Sequence, residues 1–425
     1  MPAEPSVSSA PSGSLGLRAG VLWTFGGQLT YAAAQWAMVA VLAHLGTPSA
    51  VGSYALGLAL TSPLFLMLGL QLRSVQATDA RQDTPFGQYV SLRVLCMIAA
   101  LILVGVLALL YPQAWAVIGW LGLAKALEGL SDVCYGRMQQ RERLDVVARS
   151  TMLRGVLSLA LLGGLFAWSH SVGVSTAGVA LANLLVLIGY DVPQVRRLTP
   201  GPYFSRVIPP ALIQLAWPLG AVVGLVSLSS TIPRLVLDHS SGNHLVGIYS
   251  ALIYVNVAGS VVVVAIGTAL TARLSQMYAA NNRSGFVRLT LQFTAAAAAV
   301  GLSLTVLALL AGRPLLNLLY GPEYADQTPA FVWLMASGAL GYLASCAGFA
   351  VTAARRFIQQ LPLFLVVCAV LLVCCWWLIP AHGLVGAAIA ALIAASVQLV
   401  GSWFIVLGAL HAPAIHSGSY DATKS

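Results

Sequence analysis

Three ionisable side chains, Lys125, Glu128 and Asp132, stand inside one apolar run between residues 114 and 135. At about 100° per helical residue, Lys125 and Asp132 share nearly one face, with Glu128 beside them. Charge near a bilayer centre is costly and turns toward a bundle interior or an aqueous cavity. Two chemistries suit the trio. Lys125 can face a cavity as a cation while Glu128 and Asp132 carry a coupling proton or sodium ion. Alternatively, Lys125 and Glu128, spaced i, i+3, neutralise each other as a structural pair. A second pattern, Thr24, Gln28, Tyr31 and Gln35, draws one polar stripe along a helix. Such amides and hydroxyls can bond sugar hydroxyls, with Trp23 and Trp36 placed to stack on pyranose rings, or they can glue helices together. Ser227, Ser230 and Arg234, then Tyr249, Asn256 and Ser260, repeat the idea later in the chain. Arg234 follows Pro233; its guanidinium can grip phosphate oxygens in a fork, snorkel to the surface, or pair with Asp238 at i, i+4.

The elements carrying these residues are set by composition. Of 425 residues 59% are hydrophobic and 8% charged, and the mean hydropathy is +0.87. A water-soluble domain of that composition would expose large apolar patches. The chain therefore reads as an all-α polytopic membrane protein. Runs of roughly 20 apolar residues mark twelve expected spans: 19–44, 51–72, 88–111, 114–135, 149–168, 172–192, 211–237, 245–272, 287–311, 328–352, 358–380 and 383–409. The net charge of +9 does not point to nucleic acid, because the basic residues are scattered between apolar runs. With both termini cytoplasmic, all of the 21 Lys and Arg residues except Lys125, Arg234 and Arg313 fall on the inner side. The six cysteines lie in apolar segments without metal-ligand or disulfide spacing, and His44, His170, His239, His244 and His382 map to outer loops or span ends.

The stretch Val51-Gly52-Ser53-Tyr54 returns as Val246-Gly247-Ile248-Tyr249, 195 positions later, and Ala177–Ala182 is echoed at Val385–Ala390. These repeats divide the chain into two halves of six spans, which the even number relates by an axis along the membrane normal. The expected organisation is a disordered cytoplasmic tail (1–17), an N-lobe (18–198), a Pro- and Gly-containing linker (199–210), a C-lobe (211–410) and a second cytoplasmic tail (411–425). The tail carries no apolar segment, so the first span serves as the targeting signal. There is no Walker A loop, Asp-x-Asp pair, Gly-x-Ser-x-Gly or His-Glu-x-x-His, so the chain is expected not to be an enzyme and to need no cofactor or metal.

Several motifs occur in order: Leu45-Gly46 before Val51-Gly52-Ser53-Tyr54, then Leu72-Arg73-Ser74-Val75-Gln76-Ala77-Thr78-Asp79, then Phe86-Gly87-Gln88-Tyr89-Val90-Ser91-Leu92-Arg93. Ile232-Pro233-Arg234, Val246-Gly247-Ile248-Tyr249 and Leu319-Tyr320-Gly321-Pro322-Glu323-Tyr324-Ala325 follow. Over residues 18–410 the chain resembles the oligosaccharide flippases of polysaccharide biosynthesis, within the multidrug/oligosaccharidyl-lipid/polysaccharide exporter superfamily. The resemblance implies two six-helix lobes around a central cavity in a bacterial cytoplasmic membrane. It also implies alternating-access transfer of a polyprenyl-diphosphate-linked oligosaccharide to the outer leaflet, by a monomer working with membrane lipid and with the polymerase and glycosyltransferases of its pathway. For such a substrate Lys125, Arg234, Arg18 and Arg73 are the candidate cations. Gln28, Tyr31, Gln35 and Asn256 are the candidate polar contacts, and Glu128 and Asp132 the candidate carboxylates for a proton or sodium ion. A cation-coupled drug antiporter of the same superfamily and a membrane-embedded glycan polymerase or ligase are the alternatives. The basic intramembrane residues weigh against the first, and the lack of a long outer loop against the second.

Overall fold

In lipid a backbone must satisfy its own hydrogen bonds, so apolar runs of this length become helices. The computed structural model describes residues 17–79, 84–199, 201–354 and 356–411. The expected terminal tails lie almost wholly outside that set, as do Arg81, Arg355 and Lys424. The first half contains α1 (Leu17–Leu45), α2 (Pro48–Leu68), α3 (Leu72–Thr78), α4 (Phe86–Leu110), α5 (Trp115–Gln140) and α6 (Leu144–Ser169). It ends with α7 (Val172–Val186), which passes through a π turn at Leu187–Asp191 into α8 (Val192–Leu198). The second half contains α9 (Pro210–Ser241), α10 (Asn243–Ala279), α11 (Arg283–Tyr320), α12 (Pro322–Ala325), α13 (Thr328–Ala353) and α14 (Gln360–His411). No strand occurs among the described residues.

Each of the twelve expected spans lies on one of these helices. Two of them are joined in α14, which breaks at Gly383, where φ is +55°. Among the described residues nine helical stretches are long and apolar enough to cross a membrane. The two long helices outside that set, α1 and α5, are those that carry the polar stripe and the ionic trio. One boundary differs from expectation. Leu70 and Gln71 adopt left-handed backbone (φ +53° and +49°), so the second span stops before them and α3 forms a separate short helix.

The repeated Val-Gly-x-Tyr motif has a structural role that its recurrence alone does not reveal. The two copies pack on each other across the lobes. A Cβ at Gly52 would run into the carbonyl of Asn243, and one at Gly247 into the carbonyl of Pro48. Glycine is needed at both positions because the starts of α2 and α10 meet backbone to backbone. Around that contact Val51, Tyr54, Val246 and Tyr249 are all buried, in one apolar cluster with Met38, Leu42, Phe166, Leu237, Leu252 and Phe331 from both halves. This end of the molecule bears His44, His170, His239, His244 and His382; the other bears most of the arginines. Two hydrogen bonds also join the lobes: Trp36 Nε1 donates to the Tyr320 hydroxyl (2.9 Å) and Thr231 Oγ1 to the Ala59 carbonyl (3.0 Å).

Further from the motif contact the seams differ. α9 stays on α2, with Gly220 against the backbone of Met67 and Leu70, and its first turns place Leu212 and Ala216 in an apolar cluster of the first half. By contrast, α1 exposes Thr24, Phe25, Gln28 and Leu29, and α10 exposes Val257, Val262 and Val264, so that one face of each helix is open there. The second echo packs alike in both lobes. Gly178 lies against the Leu161 backbone (3.1 Å for an added Cβ), and Gly386 against the Leu378 carbonyl.

Gly52→Ala should lower the thermal unfolding midpoint of the detergent-solubilised protein, at a cost of about 1–3 kcal/mol for forcing a methyl into a closed contact. Gly105→Ala, where nothing lies within 4 Å of an added Cβ, should leave the midpoint unchanged or raise it. Equal midpoints for the two variants would contradict the packing role.

Candidate functional site

The ionic trio of α5 is the centre of a network to which five further elements contribute. Lys125 Nζ donates to Glu128 at 2.8 Å, and the Tyr31 hydroxyl of α1 donates to the same carboxylate at 3.2 Å. Arg154 of α6 lies between two carboxylates, 3.9 Å from Glu128 and 3.5 Å from Asp191. Asp191 is fully buried and also accepts from Ser150 Oγ at 2.5 Å. Because Ser150 spends its proton on Asp191, the hydroxyl of Tyr135, 2.7 Å away, must donate to Ser150. One turn further along α5, Asp132 is held by Arg93 of α4 (3.1 Å) and Arg73 of α3 (3.5 Å). The Tyr135 ring joins the two groups, with Arg73 at 5.3 Å and Arg154 at 5.4 Å from its centroid.

Local sequence explains how these groups converge. Ser150 and Arg154 are spaced i, i+4 and share a face of α6. Asp191 is carried on the π turn that precedes Pro193. A proline ring clashes with the carbonyl four residues back, and a widened turn relieves that clash. The network sets four cations, Arg73, Arg93, Lys125 and Arg154, against three carboxylates, Glu128, Asp132 and Asp191, leaving one positive charge in excess.

A further cation stands across the lobe boundary. A cavity of about 190 Å³ lies between α2, α9 and α10, lined by Tyr54, Ser62, Ser227, Arg234 and Tyr254 among others. Arg234 donates to Ser250 Oγ (3.0 Å) and to the Ser230 carbonyl (2.8 Å). It has no carboxylate partner among the described residues, and the pairing with Asp238 allowed by their spacing is not formed. Tyr54 and Tyr254 line the same cavity as Arg234, one from each lobe.

The remaining expected residues fall elsewhere. Asn256 is spent inside the second lobe, donating to the Leu334 carbonyl (3.5 Å) and bonded to the Tyr342 hydroxyl. Gln28 is exposed and Gln35 half-buried on α1, and neither makes a hydrogen bond among the described residues. Arg18 is in the first turn of α1, and its side chain lies outside the described residues. Arg93 and Arg154 stand out most against expectation. Counted by sequence among the surface charges of the inner side, they are 3% and 4% exposed and belong to the network. Asp191 drew no attention in the sequence, although an aspartate within an apolar span is itself a signal. Among the described residues no group of three or more His, Cys, Asp or Glu side chains could hold a metal ion.

No family model matches the chain. Capsular polysaccharide biosynthesis protein CapF of Staphylococcus aureus is 26% identical over 392 residues, 90% of this chain and 97% of that protein. Among solved structures, the lipid II flippase MurJ in an inward closed conformation superposes with a TM-score of 0.73 at 11% identity, covering 92% of this chain and 91% of that one. An inward-facing multidrug resistance MATE family transporter of the MOP superfamily gives 0.63 at 14% identity, over 94% and 97% of the two chains. A MOP superfamily transporter of Pyrococcus furiosus, described as having a binding pocket of reverse polarity, gives 0.63 at 15% identity, over 92% and 95%. The fold is that of the MOP superfamily. The resemblance read from the ordered motifs is borne out at this level, and so is the expected MOP architecture of about twelve helices in two six-helix lobes. Within that MOP frame the excess cations belong to this chain's own residues.

Arg154→Met would leave Asp191 buried without its counter-charge, at a cost of about 3–5 kcal/mol. Adding Asp191→Asn should recover most of the lost thermal midpoint. A double variant no more stable than the single one would show that the two charges do not depend on each other.

Proposed function

We propose that the protein carries a polyprenyl-diphosphate-linked oligosaccharide from the inner to the outer leaflet of a bacterial cytoplasmic membrane, by alternating access, for polysaccharide biosynthesis. The observation that carries this reading is Arg234, a cation facing the cavity between the lobes without a carboxylate partner among the described residues. With the excess charge of the Lys125–Arg154 network it offers two net positive charges to an anionic headgroup. Guanidinium forks match phosphate oxygens, and the hydroxyls of Ser227, Ser230 and Tyr254 suit sugar or phosphate oxygens. The lipid tail would stay in the bilayer while the headgroup crosses between the lobes. The likeness to CapF, a capsular polysaccharide biosynthesis protein, and to the lipid II flippase MurJ supports this choice over drug export.

Coupling to a proton or sodium gradient belongs to the same proposal. Glu128 and Asp132 are both bound by cations. A headgroup that draws Lys125 or Arg73 away would free a carboxylate to take up an ion. Both termini would be cytoplasmic, with the arginine-rich end of the bundle facing inward, and the polymerase and glycosyltransferases of the pathway would act on either side of the transfer step.

Lys125→Ala and Arg234→Ala should each lower glycan export, by about tenfold or more for loss of one charge-assisted contact, at normal protein abundance. Arg234→Lys should fall between, since it keeps the charge and loses the fork. Deletion of the protein should trap lipid-linked oligosaccharide on the inner leaflet. Oligosaccharide exposed outside but unpolymerised in the deletion strain would instead assign the protein to a later step.

A further inference from the structure

On the rim of the second lobe, away from the lobe interface, a groove of about 830 Å³ follows the first turns of α11 and ends against Leu410 at the close of α14. Its lining changes character along the helix. Arg283, Val287, Leu291 and Ala295 recur every fourth residue, a cation followed by three apolar side chains over roughly 18 Å of helix. Ser284, Arg288 and Gln292 form the neighbouring stripe. Both arginines sit at the arginine-rich end of the bundle, and the apolar stripe runs from them toward the middle of α11.

The groove stands on a rigid floor. Leu274, Phe286, Val351 and Val406 are buried beneath it, and the Tyr278 hydroxyl donates to the Ala409 carbonyl (3.2 Å), tying the end of α10 to the end of α14. Arg288 is exposed and has no carboxylate within ion-pair distance among the described residues. Arg283 Nε donates to the Asn281 side chain (3.3 Å), which holds the guanidinium at the start of α11.

We propose that this groove holds an anionic phospholipid of the surrounding membrane. Its phosphate would lie between Arg283 and Arg288, and an acyl chain along Val287, Leu291 and Ala295. Basic pockets between membrane helices on the inner side select negatively charged headgroups, and two guanidinium groups favour a lipid with net negative charge over a zwitterionic one. A contiguous apolar stripe below the cations gives the chain a surface that free phosphate could not use. The site joins α11 to α14 and does not depend on the substrate proposed above.

The test is lipid retention by the full-length purified protein, measured by native mass spectrometry after incubation with mixed micelles of phosphatidylglycerol or of phosphatidylcholine. Wild type should retain phosphatidylglycerol in preference. The pair Arg283→Gln and Arg288→Gln should weaken that retention roughly 30-fold, whereas Arg196→Gln with Arg197→Gln, two exposed arginines at the same end, should change it less than about twofold. Leu291→Glu, which sets a carboxylate in the apolar stripe, should give a comparable loss and serves if the double arginine variant does not fold. Equal retention of the two lipids, equal loss in both arginine pairs, or full displacement by glycerol phosphate would each overturn the proposal.

Discussion

A charged side chain enclosed by helices this apolar must be countered by another charge or reach water, and the arrangement of the first lobe follows from that requirement. Each of its three intramembrane carboxylates is reached by at least one cation, and the cations outnumber them. Arg154 is stationed between Glu128 and Asp191 at 3.9 and 3.5 Å, close enough to balance both and in tight contact with neither. Such a guanidinium can shift toward one partner when the other is taken. That gives a physical route by which an anion arriving at Lys125 would be felt at Asp191, on the far side of the lobe's interior.

The same economy governs how the lobes meet. Tight closure comes from two glycines related by the internal repeat, Gly52 and Gly247, which bring the starts of α2 and α10 into backbone contact. Two tyrosines of the same motif, Tyr54 and Tyr249, fill the space beside them. Along α2 and α9 the lobes remain joined further, while α1 and α10 each expose one face over their arginine-end halves. The polar stripe of α1 lies on such a half. Gln28 is therefore exposed, while Tyr31, nearer the middle of the helix, turns to Glu128.

Much of the architecture was legible in the sequence because its determinants are local. Runs of about 20 apolar residues mark the spans, and the repeated Val-Gly-x-Tyr marks the two halves. The left-handed break at Leu70 and Gln71 was not legible, since neither residue is a glycine or a proline. The site was legible in part. Lys125, Glu128 and Asp132 announce themselves as charges in one apolar run. Arg93 and Arg154 do not, because each lies near the end of its span and reads as an interfacial charge. Only the tertiary packing of α4 and α6 around α5 draws them inward. The i, i+4 spacing of Arg234 and Asp238 suggested an ion pair, yet the guanidinium turns instead to Ser250 on α10. Sequence spacing fixes which residues can meet on one helix and is silent about what a neighbouring helix offers.

The central claim is that the region between the lobes is built for an anion. Equilibrium binding to the purified wild-type chain tests it most directly, with polyprenyl diphosphate, polyprenyl monophosphate and a lipophilic drug cation compared at one ionic strength. The account predicts that the diphosphate binds tightest, the monophosphate more weakly and the cation not measurably, with diphosphate affinity falling as salt rises. Saturable binding of the cation with none of the diphosphate would contradict it.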